Sequence, residues 1–300
     1  MGDCILTFLF NIMITYEKRK KLSIVYSGRS SDYLPPAIVM GCQFDCSYCY
    51  LKRHHPTKDL SVATNIGNIL TEINNHAFFD TIEKPNQVDD KFVVYDIGCN
   101  SDISLDSKYW DWKYVFNFFK EHPKAKATFA TKYVNDKFLE FNPERKVRIR
   151  FSLMPQTMSL LMEPNTSSIE TRIKAINTFV EAGYDVHINF SPVIYYNNWE
   201  MEYKELFELV NNNVNDSYKK DIKSEVIMLT HNEDKHNENM KNCPAAESIL
   251  WQPEIQESKI SQSYNSSNIK YINEHKSHMI YKFKQIHNGI IPWNEIRYIF

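Results

Sequence analysis

An α/β fold, built as a partial (β/α)6 barrel with a C-terminal α+β extension, is predicted by three observations. Short β-rich runs alternate with helical patterns about six times, the sequence form of parallel strands joined by right-handed crossovers. Two of those runs carry polar residues on one face only. Chemistry-bearing residues also fall at the C-terminal end of each run, where β/α barrels place their active sites.

In chain order, the apolar stretch at residues 4–15 is too short to span a bilayer. It has no basic leading region and no small-residue cleavage site, so it is expected to be a strand or helix of a short arm over 1–32. The barrel is expected over 33–235 and a substrate-side extension, packed on it, over 236–300. Strands are expected at Ala37–Met40, Phe92–Ile97, Ala127–Ala130, Val147–Leu153, Val186–Ser191 and Glu225–Thr230. Helices are expected near 63–77, 110–121, 136–141, 168–182, 200–214 and 273–288. Ser167, three residues before Glu170, reads as a capping box, and Gly183 as the C-terminal stop of the same helix.

The alternation Val147-Arg148-Ile149-Arg150-Phe151-Ser152 puts Arg148, Arg150 and Ser152 on one side; His187, Asn189 and Ser191 do the same in the next strand. A buried parallel strand is normally apolar on both faces. The polar face therefore predicts a lumen used for binding, the alternative being strands at a solvated edge. The site residues follow the strands in turn: a cysteine loop after the first, Cys99-Asn100-Ser101-Asp102 after the second, Lys132, Ser152 and Ser191 at the third to fifth, and His231-Asn232 after the sixth.

A net charge of −2 over 300 residues argues against broad coating of nucleic acid while leaving room for a local basic groove. The six cysteines are not the dense set of a secreted disulfide scaffold, so a reducing, cytoplasmic setting without a membrane is expected.

The cysteines of the loop are Cys42, Cys46 and Cys49, in the run GCQFDCSYCY. Four thiolates fill a tetrahedral zinc site or a four-iron cluster, whereas three hold a [4Fe-4S] cube by three irons and leave the fourth open for chemistry. Two other readings stand beside it: a zinc site completed by His54, His55 or Cys243, or three reduced bystanders. Against zinc, no second Cys-x2-Cys knuckle accompanies the first.

Cys-x3-Cys-x2-Cys with Tyr48 before its last cysteine resembles the radical S-adenosylmethionine (SAM) superfamily, whose TIM-like partial barrel matches the predicted architecture. Over roughly 33–300 the chain is similar to the spore photoproduct lyase family. The stretches that carry the likeness are GCQFDCSYCYL, IGCNSDIS, FATK, RIRFSLMP, EPNTSSIETRI, EAGYDVHINFSPVIYYNNWEMEY, EVIMLTHN, ILWQPE and IPWNEIRYIF. The resemblance implies that Cys42, Cys46 and Cys49 ligate a [4Fe-4S] cluster. It also implies that Ser101, Asp102, Lys132 and Ser152 grip SAM, whose carboxylate wants cations or hydroxyls and whose ammonium wants oxygens. Cys99 matches the family's hydrogen-atom donor, and Tyr48 and Tyr50 match tyrosines that exchange the hydrogen with 5′-deoxyadenosine and so regenerate the cosubstrate. The implied reaction is reversal of the thymine dimer 5-thyminyl-5,6-dihydrothymine in DNA by a 5′-deoxyadenosyl radical, with flavodoxin or ferredoxin as electron donor. About 40 residues precede the cysteine loop, fewer than the family implies, so an N-terminal portion is expected to be missing or reduced. The Phe-Ser-Pro after the fifth strand and the His-Asn after the sixth resemble the branch found outside spore formers.

A lesion turned out of duplex DNA calls for a basic rim. The candidates are Lys52, Arg53, Arg145, Lys146, Lys270, Lys276 and Arg297, with Asn232–Asn242 expected to be a connector. Arg150 is expected to contact the SAM carboxylate or a substrate phosphate, the alternative being an internal ion pair with Asp96 or Glu163. Rival functions are a radical SAM enzyme acting on another nucleic acid or a small molecule, and a non-catalytic cysteine-metal binding protein.

Overall fold

A computed structural model describes residues 12–53, 59–79, 84–260 and 267–300. The chain opens with strands β1 (Ile14–Glu17), β2 (Val25–Tyr26), β3 (Tyr33–Leu34) and β4 (Val39–Met40), then β5 (Leu60–Ala63) and helix α1 (Ile66–Phe78). Alternation follows: β6 (Val93–Asp96), α2 (Trp112–Glu121), β7 (Ala125–Thr131), β8 (Val147–Leu153), α3 (Gln156–Met162), α4 (Ile169–Glu181), β9 (Asp185–Val193), α5 (Trp199–Asn213), α6 (Asp216–Lys219) and β10 (Ser224–Met228). The C-terminal part adds β11 (Thr230–His231), α7 (Glu233–Asn242), α8 (Pro244–Leu250), β12 (Gln256–Ile260), β13 (Ser267–Tyr271), α9 (Asn273–Ile290) and β14 (Ile296–Ile299).

The main sheet has the order β14-β10-β9-β8-β7-β6-β3-β2 and curls as a half-barrel, every neighbour pair being parallel except β2 with β3. The outer face of its central strands packs on helices through an aromatic cluster. Phe116 of α2 stacks on Phe129 at 5.9 Å and meets Phe138 edge-on at 5.3 Å, while Phe151 meets Phe179 of α4 at 5.3 Å. All of these rings are fully buried, and truncating one to alanine costs about 3–5 kcal/mol.

Four sequence expectations are corrected. Ala37–Met40 is not the first barrel strand: β3 takes that place beside Tyr95, and β4 instead pairs antiparallel with β5, which runs parallel to β1. Pro35 and Pro36 lack N–H donors, so the chain leaves the sheet directly after Leu34. The run Glu225–Thr230 is broken, β10 ending at Met228 and β11 joining a small antiparallel sheet with β13 and β12. The α4 cap is Ser168, which accepts from Thr171 N at 3.1 Å, whereas Ser167 Oγ accepts from Val134 N. Finally, Asn232–Asn242 is no connector: Asn232 caps α7 by accepting from Lys235 N at 2.9 Å.

The polar face of β8 and β9 is buried, not a solvated edge, and its middle layer is filled by charge. Arg150 Nη2 meets Asp96 at 2.6 Å, its Nη1 meets Glu225 at 3.1 Å, and its Nε donates to Thr128 Oγ1 at 3.1 Å. From β14, Arg297 and the Tyr298 hydroxyl also reach Glu225, at 2.6 and 3.0 Å. Thus the end of the C-terminal part contributes a strand and two side chains to the barrel itself.

Candidate active site

The cysteine loop leaves β4 at Gly41, whose φ of +94° and an added Cβ only 2.2 Å from Asp59 O leave no room for a side chain. Its backbone is held from several elements. Gly41 N donates to Asn100 O, Ser47 N to Met162 O and Cys49 N to Cys46 O, all within 3.0 Å. From α7, Asn239 Nδ2 donates to Ser47 O at 2.7 Å and to Glu247 Oε2 at 2.6 Å. Glu247, buried on α8, also faces His231 at 3.0 Å and His236 at 2.6 Å. Sequence reasoning passed over Asn239 and Glu247 because both fall outside the stretches that carry the family likeness.

Cys42, Cys46 and Cys49 are free thiols close enough to sense one another's charge. Burial pushes Cys42 up to about 12, helped by Asp102 and Cys49, and pushes Cys46 well up against the pull of Lys132. Among the described residues no three His, Cys, Asp or Glu side chains converge as they would around a single ion. His54 and His55, proposed to complete a zinc site, lie outside the described residues, and so do the side chains of Lys52 and Arg53.

Around the loop lie the groups expected to meet a cosubstrate. Lys132 Nζ stands 5.7 Å from the Tyr48 ring centroid; burial pulls its pKa down, but Glu163 and Cys46 outweigh this and raise it. Tyr48 donates its hydroxyl to Glu163, which also pairs with buried Arg172 at 2.8 Å. Ser152 is buried, its Oγ 3.5 Å from Asn189 Nδ2. Asp102 accepts from Thr131 Oγ1 at 2.7 Å, Lys132 N at 2.8 Å and Leu105 N at 3.3 Å, so most of a carboxylate's acceptor sites are used in bracing its own loop.

Asp106, which sequence reasoning missed, is the opposite case. It is fully buried, and neither oxygen has a hydrogen-bond partner among the described residues. Burial, reinforced by Asp102, pushes its pKa up to about 8; the Ser101 hydroxyl faces the carboxylate and opposes this, but is too poorly placed for an ordinary hydrogen bond. The signal was a second aspartate four residues after Asp102, on the same loop. These orphaned oxygens, near enough to Cys42 to raise its pKa, fit a polar, cation-bearing group.

At the end of β6, the Tyr50 hydroxyl donates to Cys99 O at 2.6 Å and lies 3.9 Å from Cys99 Sγ. Burial, then Asp96, pushes the Cys99 thiol up to about 11; Tyr50 as a residue is exposed, but the desolvation of its hydroxyl against Cys99, then the charge of Cys99, holds the phenol well above its ordinary range. Both hydrogens are therefore in place at neutral pH. Tyr48 and Tyr50 part company: only Tyr50 joins Cys99. All three nitrogens of Arg150 have protein partners, Nη2 on Asp96, Nη1 on Glu225 and Nε on Thr128, which is the internal ion pair expected as the alternative, with Glu225 in place of Glu163 as its second carboxylate.

The expected rim also divides. Lys270 and Lys276 gather with Arg29 around the Phe300 ring, at 5.2, 5.4 and 4.8 Å. Arg145 and Lys146 instead sit at the opposite strand ends, Arg145 between Asp185 and Asp221 and Lys146 donating to His122 O, and Arg297 is held by Glu225.

A curled parallel half-barrel with a three-cysteine loop at the C-terminal mouth of its strands defines the class of this protein. The sequence profile of the spore photoproduct lyase family matches residues 12–300, and the chain belongs to that family. It is 28% identical over 212 residues to the spore photoproduct lyase of Bacillus subtilis (strain 168) and 27% over 212 residues to that of Clostridium acetobutylicum. Those matches cover 70% of this chain but only 59% and 60% of the two relatives, so the matched part spans about three-fifths of their length. A spore photoproduct lyase solved with dinucleoside spore photoproduct superposes with a TM-score of 0.84 at 21% identity, covering 96% of this chain and 82% of that one. A mutant form solved with AdoMet and the same dinucleoside gives 0.82 at 21%, with the same coverage. Among the described residues no helix is long and apolar enough to cross a membrane.

Proposed function

We propose that this chain is a radical SAM lyase that reverses the 5-thyminyl-5,6-dihydrothymine dimer in DNA. A [4Fe-4S] cluster held at the loop, with SAM, would supply the 5′-deoxyadenosyl radical that opens the reaction by taking hydrogen from the dimer. Cys42, Cys46 and Cys49 hold the cluster, each as a thiolate once metal displaces its proton. Lys132, with Ser152, receives the SAM carboxylate; Asp106 and Ser101 receive its ammonium, and Asp102 keeps their loop in shape.

The observation that carries the reading is Cys99 as a protonated thiol at the strand end, with Tyr50 against it. After the cross-link breaks, Cys99 gives its hydrogen atom to the thymine methylene radical, the weak S–H bond making this step favourable. The Tyr50 O–H then passes a hydrogen atom to the sulfur radical, and the tyrosyl radical recovers one from 5′-deoxyadenosine, which restores the adenosyl radical and, with methionine, the cosubstrate. Lys270 and Lys276 form part of a basic rim for the DNA backbone, and a flavodoxin or ferredoxin supplies the electron. The setting is cytoplasmic.

The test is an anaerobic reaction of the iron-reconstituted protein with dithionite, SAM and a synthetic dinucleoside spore photoproduct, following thymidine and 5′-deoxyadenosine together. Both are expected. Deoxyadenosine without thymidine moves the substrate elsewhere, and neither product overturns the catalytic reading. In Cys99→Ala, SAM cleavage persists while clean thymine product is lost; normal repair by that variant removes Cys99 from its role.

A further inference from the structure

Below the Arg150 layer, at the N-terminal ends of the strands, lies a cavity of about 810 Å³. No residue assigned above to the cluster, to SAM or to hydrogen transfer lines it. Eight lysines and arginines line it against five carboxylates, a local excess of cations in a chain whose 37 acidic residues outnumber its 35 basic ones.

The charges are built into the wall. Lys126 Nζ meets Asp89 at 2.8 Å and Asp185 at 2.7 Å, and Arg148 meets the same two carboxylates at 3.3 and 2.7 Å. Arg145 reaches Asp185 at 3.6 Å and Asp221 at 3.7 Å, so these three cations are matched by three carboxylates and the surplus lies with the remaining lysines. Lys91 and Lys220 also line the cavity, and neither has an ion-pair partner among the described residues. His187 lines it too. This residue is 3% exposed, with Nε2 3.5 Å from Asp185 and Nδ1 without a hydrogen-bond partner among the described residues. A buried imidazole nitrogen without a partner is costly unless something supplies one.

We propose that this cavity binds a phosphorylated small molecule of about nucleotide size that also carries hydroxyl groups. The surplus cations take the phosphate, and His187 with the rim carboxylates takes the hydroxyls. A concave site of this volume suits a small ligand. The five carboxylates repel a continuous polyanion, which argues against the DNA backbone as the occupant. The inference is independent of the proposed lyase activity.

The experiment is isothermal titration of the cluster-loaded full chain, anaerobically and with saturating SAM so that its own site is filled, using inorganic pyrophosphate and ribose 5-phosphate as probes. Both bind, and the double variant Lys91→Ala/Lys220→Ala weakens both at least tenfold. His187→Gln weakens ribose 5-phosphate selectively. Absence of binding at millimolar probe, or binding indifferent to the lysine variant, overturns the proposal. Displacement of the probe by duplex DNA, with DNA affinity itself lost in the lysine variant, overturns it in favour of a backbone-binding channel.

Discussion

Replacing Asp106 by asparagine separates the needs of the fold from those of the site. A carboxyl whose ordinary pKa is 3.8 but which stands at about 8 is mostly protonated in the native protein at pH 7 and ionised in the unfolded chain. Taking up that proton spans about 3 pKa units, or roughly 4 kcal/mol at 1.36 kcal/mol per unit. Asparagine removes this cost, but leaves a buried amide without partners, worth roughly 1–3 kcal/mol against it. Iron-free Asp106→Asn is therefore expected to be more stable than the parent by about 1–3 kcal/mol in urea denaturation near neutral pH. The native state binds the extra proton, so the parent loses stability as pH rises from about 4 to about 8, and the variant lacks that slope. In the cluster-loaded protein, equilibrium dialysis should show SAM bound at least tenfold more weakly. A variant no more stable than the parent at pH 8, with unchanged SAM affinity, refutes both the orphaned carboxylate and its assignment.

Arg150→Gln strands Asp96 in the interior and should cost about 3–5 kcal/mol in chemical denaturation; a loss under 1 kcal/mol would mean that the ion pair is not formed as described. Burial and then Arg148 push His187 down to about 4, Asp185 opposing, so acidification below the ordinary 6.5 protonates the unfolded chain first. Stability should fall between pH 6.5 and about 4 by up to roughly 3 kcal/mol, and His187→Gln should flatten that part of the profile. Asn239→Ala frees the Ser47 carbonyl; iron release to a chelator should speed several-fold with little change in melting temperature, and an unchanged rate would show that the loop holds itself.

Much of this architecture could be read from alternation alone. Val147–Leu153 was legible to the residue, because Arg148, Arg150 and Ser152 interleaved with valine, isoleucine and phenylalanine admit only one pleat. The partner of a strand was less legible. Ala37–Met40 is apolar enough for a barrel strand, but apolarity reports burial and not which sheet does the burying. The same limit hid β14, whose Arg297 and Tyr298 are explained only by Glu225, far away in sequence. At the site, the cysteines, Cys99 and Tyr50 announced themselves by spacing. Asp102 and Asp106 look alike in sequence and differ only in whether the fold answers their oxygens with donors. Arg150 misled for the same reason: a polar face says that charge enters the lumen, not what neutralises it.

The hydrogen bond from Asn239 to the Ser47 carbonyl joins residues 192 positions apart. At about 5–20 residues per second of synthesis, Asn239 follows Ser47 off the ribosome by roughly 10–40 s. During that interval the nascent loop lacks its fastening from α7, and the three thiols are more open to solvent, to metal carriers and to oxidants than they will be afterwards. The order of translation thus sets a time window for metallation, and slowing or hastening the ribosome over residues 50–239 becomes a lever on how much of the protein is made with its iron.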